Sequence, residues 1–214
     1  MLQLPSKECI EVCVDEVGRG TLMGNVVAAA VIWPSDVDPE DKMMLQINDS
    51  KKITPKKRAI LEKYIKNNCV AYGIGEATVE EIDKFNILKA THIAMHRALD
   101  MVYSKNKFDA ILVDGDKFKP YMCPDQNSEI TVIPHECIEG GDSKVLGIAA
   151  ASILAKEYRD NYVKNIVKEH PELDEKYGWF SNKGYGTKKH MDGLKQFGAS
   201  SYHRKTFAPV ARVL

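Results

Sequence analysis

Apolar residues along this chain fall into short unbroken runs that alternate with stretches of roughly 3.6-residue period. That pattern predicts strands covered on both faces, interleaved with helices. Val12, Cys13 and Val14 stand together in a strand over 10–15, and Val-Val-Ala-Ala-Ala-Val-Ile-Trp fills a second over 26–33 before Pro34 stops it. Gly18 and Gly20 lie between the two, so an antiparallel hairpin is expected. Thr54 and Pro55 suit the cap and first position of a helix over 55–67, turned inward on Ile60, Leu61, Tyr64 and Ile65. A strand over 70–76 follows, then a short helix capped by Thr78. Asn86 caps a longer helix whose inward stripe is Ile87, Ala90, Ala94, Ala98 and Met101 or Val102. The reading continues with a buried strand over 110–113, an irregular loop over 117–127 and a strand over 129–134. The longest helix, over 144–170, begins with small residues and carries Leu146, Ala150, Leu154, Tyr158, Tyr162 and Ile166 at steps of four. A basic helix over 188–197 closes the pattern.

At 214 residues the chain can fill one core, and no Pro/Gly/Ser-rich linker divides it. Lysine plus arginine equal aspartate plus glutamate at 30 each, so any affinity for nucleic acid must come from local patches. The apolar run at 26–33 is too short for a bilayer, and the first residues lack the charged-then-apolar order of a signal peptide. A cytoplasmic protein is expected. Cys9, Cys13, Cys69, Cys123 and Cys137 are odd in number with no Cys-x-x-Cys, which points to reduced thiols and away from disulfides or structural zinc.

Candidate chemistry begins where the first strand ends, at Asp15-Glu16-Val17-Gly18-Arg19-Gly20. Successive strand residues face opposite ways, so both acids share one site only if the chain turns at Glu16 or one acts through water. Asp114, before Gly115, closes the strand over 110–113, where active-site groups of open α/β sheets tend to lie. Asp142 precedes the longest helix and reads either as its N-cap or as a metal ligand. Four acids without a histidine or cysteine cluster suit Mg²⁺ or Mn²⁺. Two such ions about 4 Å apart can drive an in-line phosphoryl displacement. His92 and His96, one helical turn apart, lack a third ligand nearby and read as surface histidines. Lys51, Lys52, Lys56, Lys57 and Arg58 form either a solvated helix start or a phosphate contact. Beyond Pro171, aromatic and glycine residues around Trp179, Phe180 and Tyr185 alternate with Lys188, Lys189, Lys195, Arg204, Lys205 and Arg212, a composition suited to a sugar-phosphate chain.

Taken in order, Asp15-Glu16-x-Gly18-Arg19-Gly20, Asp49-Ser50-Lys51-Lys52, Val113-Asp114-Gly115, Gly141-Asp142-Ser143, the run from Ile148 to Lys156 with Arg159-Asp160, and Lys183-Gly184-Tyr185 with His190 resemble ribonuclease HII. The resemblance implies a ribonuclease H-like α/β fold, a mixed five-stranded sheet flanked by helices, with a catalytic domain over 1–170 and a helical C-terminal substrate-binding extension over 171–214. It implies cleavage of RNA in RNA/DNA hybrids and incision on the 5′ side of a ribonucleotide embedded in duplex DNA, by water, leaving 5′-phosphate and 3′-hydroxyl ends. By the same likeness Asp15, Glu16, Asp114 and Asp142 are the catalytic, metal-binding acids. Gly18, Arg19 and Gly20 would contact the ribonucleotide, Ser50 and Lys51 a phosphate, and Tyr185 the sugar at the junction. Thr21 and Asn25 stand where the family usually has prolines. A monomer is expected, and the last residues, from Phe207 to Leu214, show no clamp-binding peptide. A binding module that had lost catalysis would not need all four acids.

Overall fold

A computed structural model of the chain describes residues 2–124 and 129–214. Its elements follow one another as β1 (Glu11–Val17), β2 (Val26–Ile32), α1 (Pro55–Asn68), β3 (Ala71–Ala77), α2 (Val79–Phe85), α3 (Ile87–Tyr103), β4 (Ala110–Asp114), β5 (Tyr121–Pro124), β6 (Ile130–Ile133), β7 (His135–Ile138), α4 (Leu146–Glu169), α5 (Pro171–Tyr177), α6 (Trp179–Asn182), α7 (Lys188–Phe197) and α8 (Ala208–Ala211).

Five strands make one mixed sheet in the order β3-β2-β1-β4-β7. β1 pairs antiparallel with β2 and parallel with β4, and β4 pairs parallel with β7. The strands run at the centre of the molecule because their apolar runs are covered on both sides, and every residue of β2 is buried. On one face α3 packs Ala90, Ala94, Met95, Ala98 and Leu99 against Val12, Val14, Ala28 and Ala30. Gly73 and Gly75 let the α3 backbone come down onto β3, since a Cβ at either would strike the Ala98 or Ala94 carbonyl oxygen. On the other face α1 and α4 cover Val27, Ala29 and Val31.

The first ten residues of α4 are all buried. Glycine, alanine and serine make that close fit possible, and at Gly147 a side chain would meet Cys13 Sγ. The C-terminal half of α4 carries a second core, in which Leu22, Met23, Val163, Ile166, Tyr177, Trp179 and Leu194 enclose one another. Thus the helices after Pro171 pack on the end of α4 and on residues just after β1. No helix among the described residues is long and apolar enough to cross a membrane. The five cysteines form no disulfide.

Several expectations needed correction. The loop over 117–127 contains β5, which pairs antiparallel with β6 in a separate two-stranded sheet; residues 125–127 lie outside the described residues. The strand over 129–134 therefore leaves the main sheet, whose fifth strand is β7. His135-Glu136-Cys137-Ile138 has no apolar run to announce it, and it holds its place at the sheet edge through backbone pairing to β4. Ile60 is exposed, and the inward position on the first turns of α1 goes to Arg58. Met101 is exposed while Val102 is buried. Tyr158, on the expected stripe of α4, is also exposed. His92 is buried, with Nε2 3.3 Å from the Lys117 carbonyl oxygen.

Candidate active site

The sheet brings its acids together through register. Val14 on β1 lies opposite Val113 on β4, so Asp15 and Asp114 are the next residues on adjacent parallel strands, side by side on the face covered by α4. Beyond β7 the chain turns at Gly140, in the left-handed conformation, into a single 3-10 turn at Gly141–Ser143. There the Gly141 N–H donates to Asp114 Oδ1 at 2.7 Å, which ties the Asp142 turn to the end of β4. Asp142 is not the cap of α4. Val145 occupies that position without a side-chain bond, and Asp142 is left buried in the turn before it.

Glu16 stands apart. β1 continues to Val17, so no turn occurs at Glu16 and its side chain points to the α3 face, opposite to Asp15. It lines a cleft of about 320 Å³ with Arg19, His92, Asp114 and Lys117.

Every acid leans on a donor supplied by the chain. Asp15 Oδ1 accepts from the Glu16 N–H at 2.6 Å, and the Ser152 hydroxyl also bonds to it. Arg19 Nη1 lies 3.3 Å from Glu16 Oε1, and Lys51 Nζ lies 3.5 Å from Asp142 Oδ2. These partners do not offset burial. Desolvation first, and then Glu16 and Asp114 beside it, hold the Asp15 carboxyl well above the usual carboxylate range. Burial likewise raises Glu16, against the pull of Arg19, and raises Asp142, with Asp49 adding to the rise and Lys51 opposing it. Hard oxygen donors that crowd and repel one another fit a divalent cation. As they stand, no three acid, histidine or cysteine side chains among the described residues close around one ion.

Gly18 to Asn25 form the turn beside the acids. Gly18 has a φ of 93°, and a Cβ there would strike the Arg159 guanidinium. Thr21 and Asn25, in place of prolines, are anchored by hydrogen bonds. The Thr21 hydroxyl lies 3.0 Å from the Gly18 carbonyl oxygen and accepts from Arg159 Nη2 at 2.8 Å, and Asn25 Nδ2 donates to Glu76 at 2.9 Å. Arg159 also donates to Asn25, Met23 and Lys183 carbonyls. Arg204 donates to those of Arg19, Thr21 and Gly24. Both guanidiniums are fully buried, and desolvation lowers them, Arg204 to about 9. The turn is thus held rigid from below by two cations, which replaces the stiffness proline would supply.

The remaining expected contacts divide. Tyr185 is 44% exposed, next to Gly20, and Leu22 N–H donates to the Gly184 carbonyl at 2.8 Å, so the two loops are joined. Lys51 is exposed and beside the acids. Ser50 is different, because its hydroxyl is buried 2.9 Å from that of Ser152, which in turn bonds Asp15. Arg58 leaves the basic patch altogether, bonding Glu157 at 2.5 Å and Asp160 at 3.1 Å in the core. Arg204 leaves the C-terminal patch in the same way, and Trp179 is buried. Ser152 and Arg159 support the site although no pattern in the sequence gives them a part, and Arg204, expected to face the sugar-phosphate chain, supports the turn from inside instead. The signal for Ser152 and Arg159 is that both sit in or beside the small-residue run around 148–160.

Comparison with known proteins identifies the family and the fold. The ribonuclease HII family model matches residues 12–210. Ribonuclease HII of Parabacteroides distasonis is 46% identical over 198 residues, covering 92% of this chain and 89% of that protein. Ribonuclease H2 from Pyrococcus horikoshii superposes with a TM-score of 0.71 at 22% identity, over 95% of this chain and 96% of that one. Bst ribonuclease HIII, solved in complex with Mn²⁺, superposes with a TM-score of 0.64 at 16% identity, over 95% and 68%. With a ribonuclease H-like sheet, acids at its strand ends and a match along nearly its whole length, the chain belongs to the ribonuclease HII family of hydrolytic endonucleases.

Proposed function

We propose that this chain hydrolyses the RNA strand of RNA/DNA hybrids and incises duplex DNA on the 5′ side of an embedded ribonucleotide, leaving 5′-phosphate and 3′-hydroxyl ends. The observation that carries the reading is the adjacency of Asp15 and Asp114 at neighbouring strand ends, with Asp142 tied to Asp114 through Gly141, beside a turn with glycines at 18 and 20. Asp15, Glu16, Asp114 and Asp142 would hold Mg²⁺ or Mn²⁺. When bound, two divalent ions supply activation of the attacking water and stabilisation of the leaving oxygen.

The chain's own residues do the rest. Gly20 gives the ribose close access to backbone groups, and the 2′-hydroxyl is the chemical difference those groups can read. Arg19 and Lys51, paired with Glu16 and Asp142 in the absence of substrate, can turn to the nucleic-acid backbone once those acids face cations. The inward hydroxyl of Ser50 leaves only its main chain to substrate, so Lys51 is the phosphate contact of that pair. Tyr185 packs on the sugar, presented by the extension over 171–214 against the catalytic part over 1–170.

Incision of a labelled duplex bearing one ribonucleotide, in Mg²⁺ or Mn²⁺, tests this. Cutting on the 5′ side of the ribonucleotide, absent from the all-DNA duplex and abolished by a chelator, is expected. Equal cutting of the all-DNA duplex, or binding without cutting, would overturn it.

A further inference from the structure

Behind Tyr185 the C-terminal helices enclose three polar rings, Trp179, His190 and His203, each fully buried. Their hydrogen bonds admit one arrangement of protons. His190 Nδ1 lies 3.0 Å from the Tyr185 carbonyl oxygen, which can only accept, so Nδ1 carries the hydrogen. His203 Nδ1 lies 2.9 Å from the Ser200 backbone N–H, which can only donate, so Nδ1 is bare and Nε2 carries the hydrogen. His203 Nε2–H then donates over 3.0 Å to His190 Nε2, which also receives the Trp179 indole N–H at 3.1 Å. Every ring nitrogen is used, and the two donors that reach His190 Nε2 share its one lone pair. An extra proton on either histidine would set two N–H groups face to face. Burial agrees, holding both imidazoles below the ordinary value, with the neighbouring His190 adding to the fall of His203 to about 3.

We propose that Trp179, His190 and His203 are positioning residues for Tyr185, a chain of fixed tautomers that clamps its carbonyl and so aims its exposed ring at the ribonucleotide sugar. This rests on the reading of Tyr185 above. The Tyr185 carbonyl also accepts from Thr187 N–H at 2.8 Å, and its own N–H donates to Asn182 at 2.9 Å, so the histidine supplies the donor that comes from inside the core. A core that needed only volume would be filled by apolar side chains with no preferred hydrogen position. The two histidines instead transmit one orientation from the Ser200 backbone to the Tyr185 backbone, with Trp179 holding His190 from the side.

The test compares initial rates on a duplex with one ribonucleotide and on a uniform RNA/DNA hybrid. His190→Ala should lower the first by about tenfold and the second by about threefold or less, as expected for losing one buried bond that matters at one junction. His190→Asn, whose amide can replace Nδ1–H at the Tyr185 carbonyl, should recover most of the loss. Adding His190→Ala to Tyr185→Ala should cost little more than Tyr185→Ala alone, since both act on one ring. Nitrogen-15 NMR of the unaltered protein, which requires no variant to fold, should find hydrogen on Nδ1 of His190 and Nε2 of His203. Equal losses on both substrates, additive losses, or the opposite tautomers would overturn the inference. A selective parent enzyme beside an unimpaired His190→Ala overturns this inference alone, whereas a parent with no preference for the embedded ribonucleotide overturns the functional reading and this inference with it.

Discussion

Two groups of carboxylates, one within α4 and one at the end of the sheet before it, are treated by the chain in opposite ways. Glu157 and Asp160 meet Arg58 at 2.5 and 3.1 Å, and Lys156 Nζ adds a contact of 2.7 Å to Asp160. Each negative charge there has a positive one against it. At the end of the sheet Asp15 and Asp114 lie side by side with Asp142 tied to Asp114 through Gly141, Glu16 points to the other face, and the cations that touch Glu16 and Asp142, Arg19 and Lys51, are at least half exposed. Burial and mutual repulsion then raise Asp15, Glu16 and Asp142. The residue types are the same in both places. What differs is how the polypeptide supplies the countercharge: Arg58 is buried against its acids, whereas Arg19 and Lys51 reach theirs from the exposed surface.

The comparison can be broken at its functional end first. Asp15→Asn or Asp142→Asn should lower incision of the single-ribonucleotide duplex by about 10³-fold or more while changing duplex affinity by about threefold or less. A near-normal rate in either variant would remove that residue from the site. At the structural end, Arg58→Met should cost about 3–5 kcal/mol in urea unfolding, because it strands buried Glu157 and leaves Asp160 with Lys156 alone. A loss near zero would show that Arg58 does not neutralise them.

A third kind of buried polar group sharpens the contrast, since His190 and His203 avoid charge by remaining unprotonated. Their folded values lie below the ordinary 6.5, so between the two the unfolded chain binds more protons than the folded one. The contribution of His203 should be fully present above pH 6.5 and be lost as pH falls toward about 3, with a slope of about 1.4 kcal/mol per pH unit, and His190 adds a loss in the same direction. Urea midpoints between pH 7 and 5 read this directly, and a flat profile would contradict it. The smallest effect has the opposite sign to Arg58→Met. In a chelator, Asp15→Asn should stabilise the fold by about 1 kcal/mol by relieving repulsion, and Mn²⁺ should stabilise the parent more than the variant. Identical melting shifts with Mn²⁺ would place the ion elsewhere.

Local chemistry made much of this fold legible in the sequence. The β1–β2 hairpin follows from two apolar runs around glycines, and Thr54, Thr78 and Asn86 cap the helices expected of them. Asp15 and Asp114 were recognisable because each closes an apolar strand. Partners distant in sequence were not legible. Arg58 reads as one more cation in a lysine run until Glu157 and Asp160 arrive from about a hundred positions away. His135–Ile138 reads as loop because an edge strand is held by its neighbour's backbone more than by its own side chains. The face taken by Glu16 was undecided because only coordinates show that β1 runs on to Val17.

Arg204 carries one further consequence, for the order of synthesis. Its guanidinium holds the carbonyls of Arg19, Thr21 and Gly24 across some 180 positions of sequence. A ribosome that has released the whole sheet and α4 has therefore still not released the group that finishes the turn next to Asp15. Newly made chains should pass through a stage with a folded centre and an unfinished substrate loop, and a stop codon shortly before position 204 should trap them there.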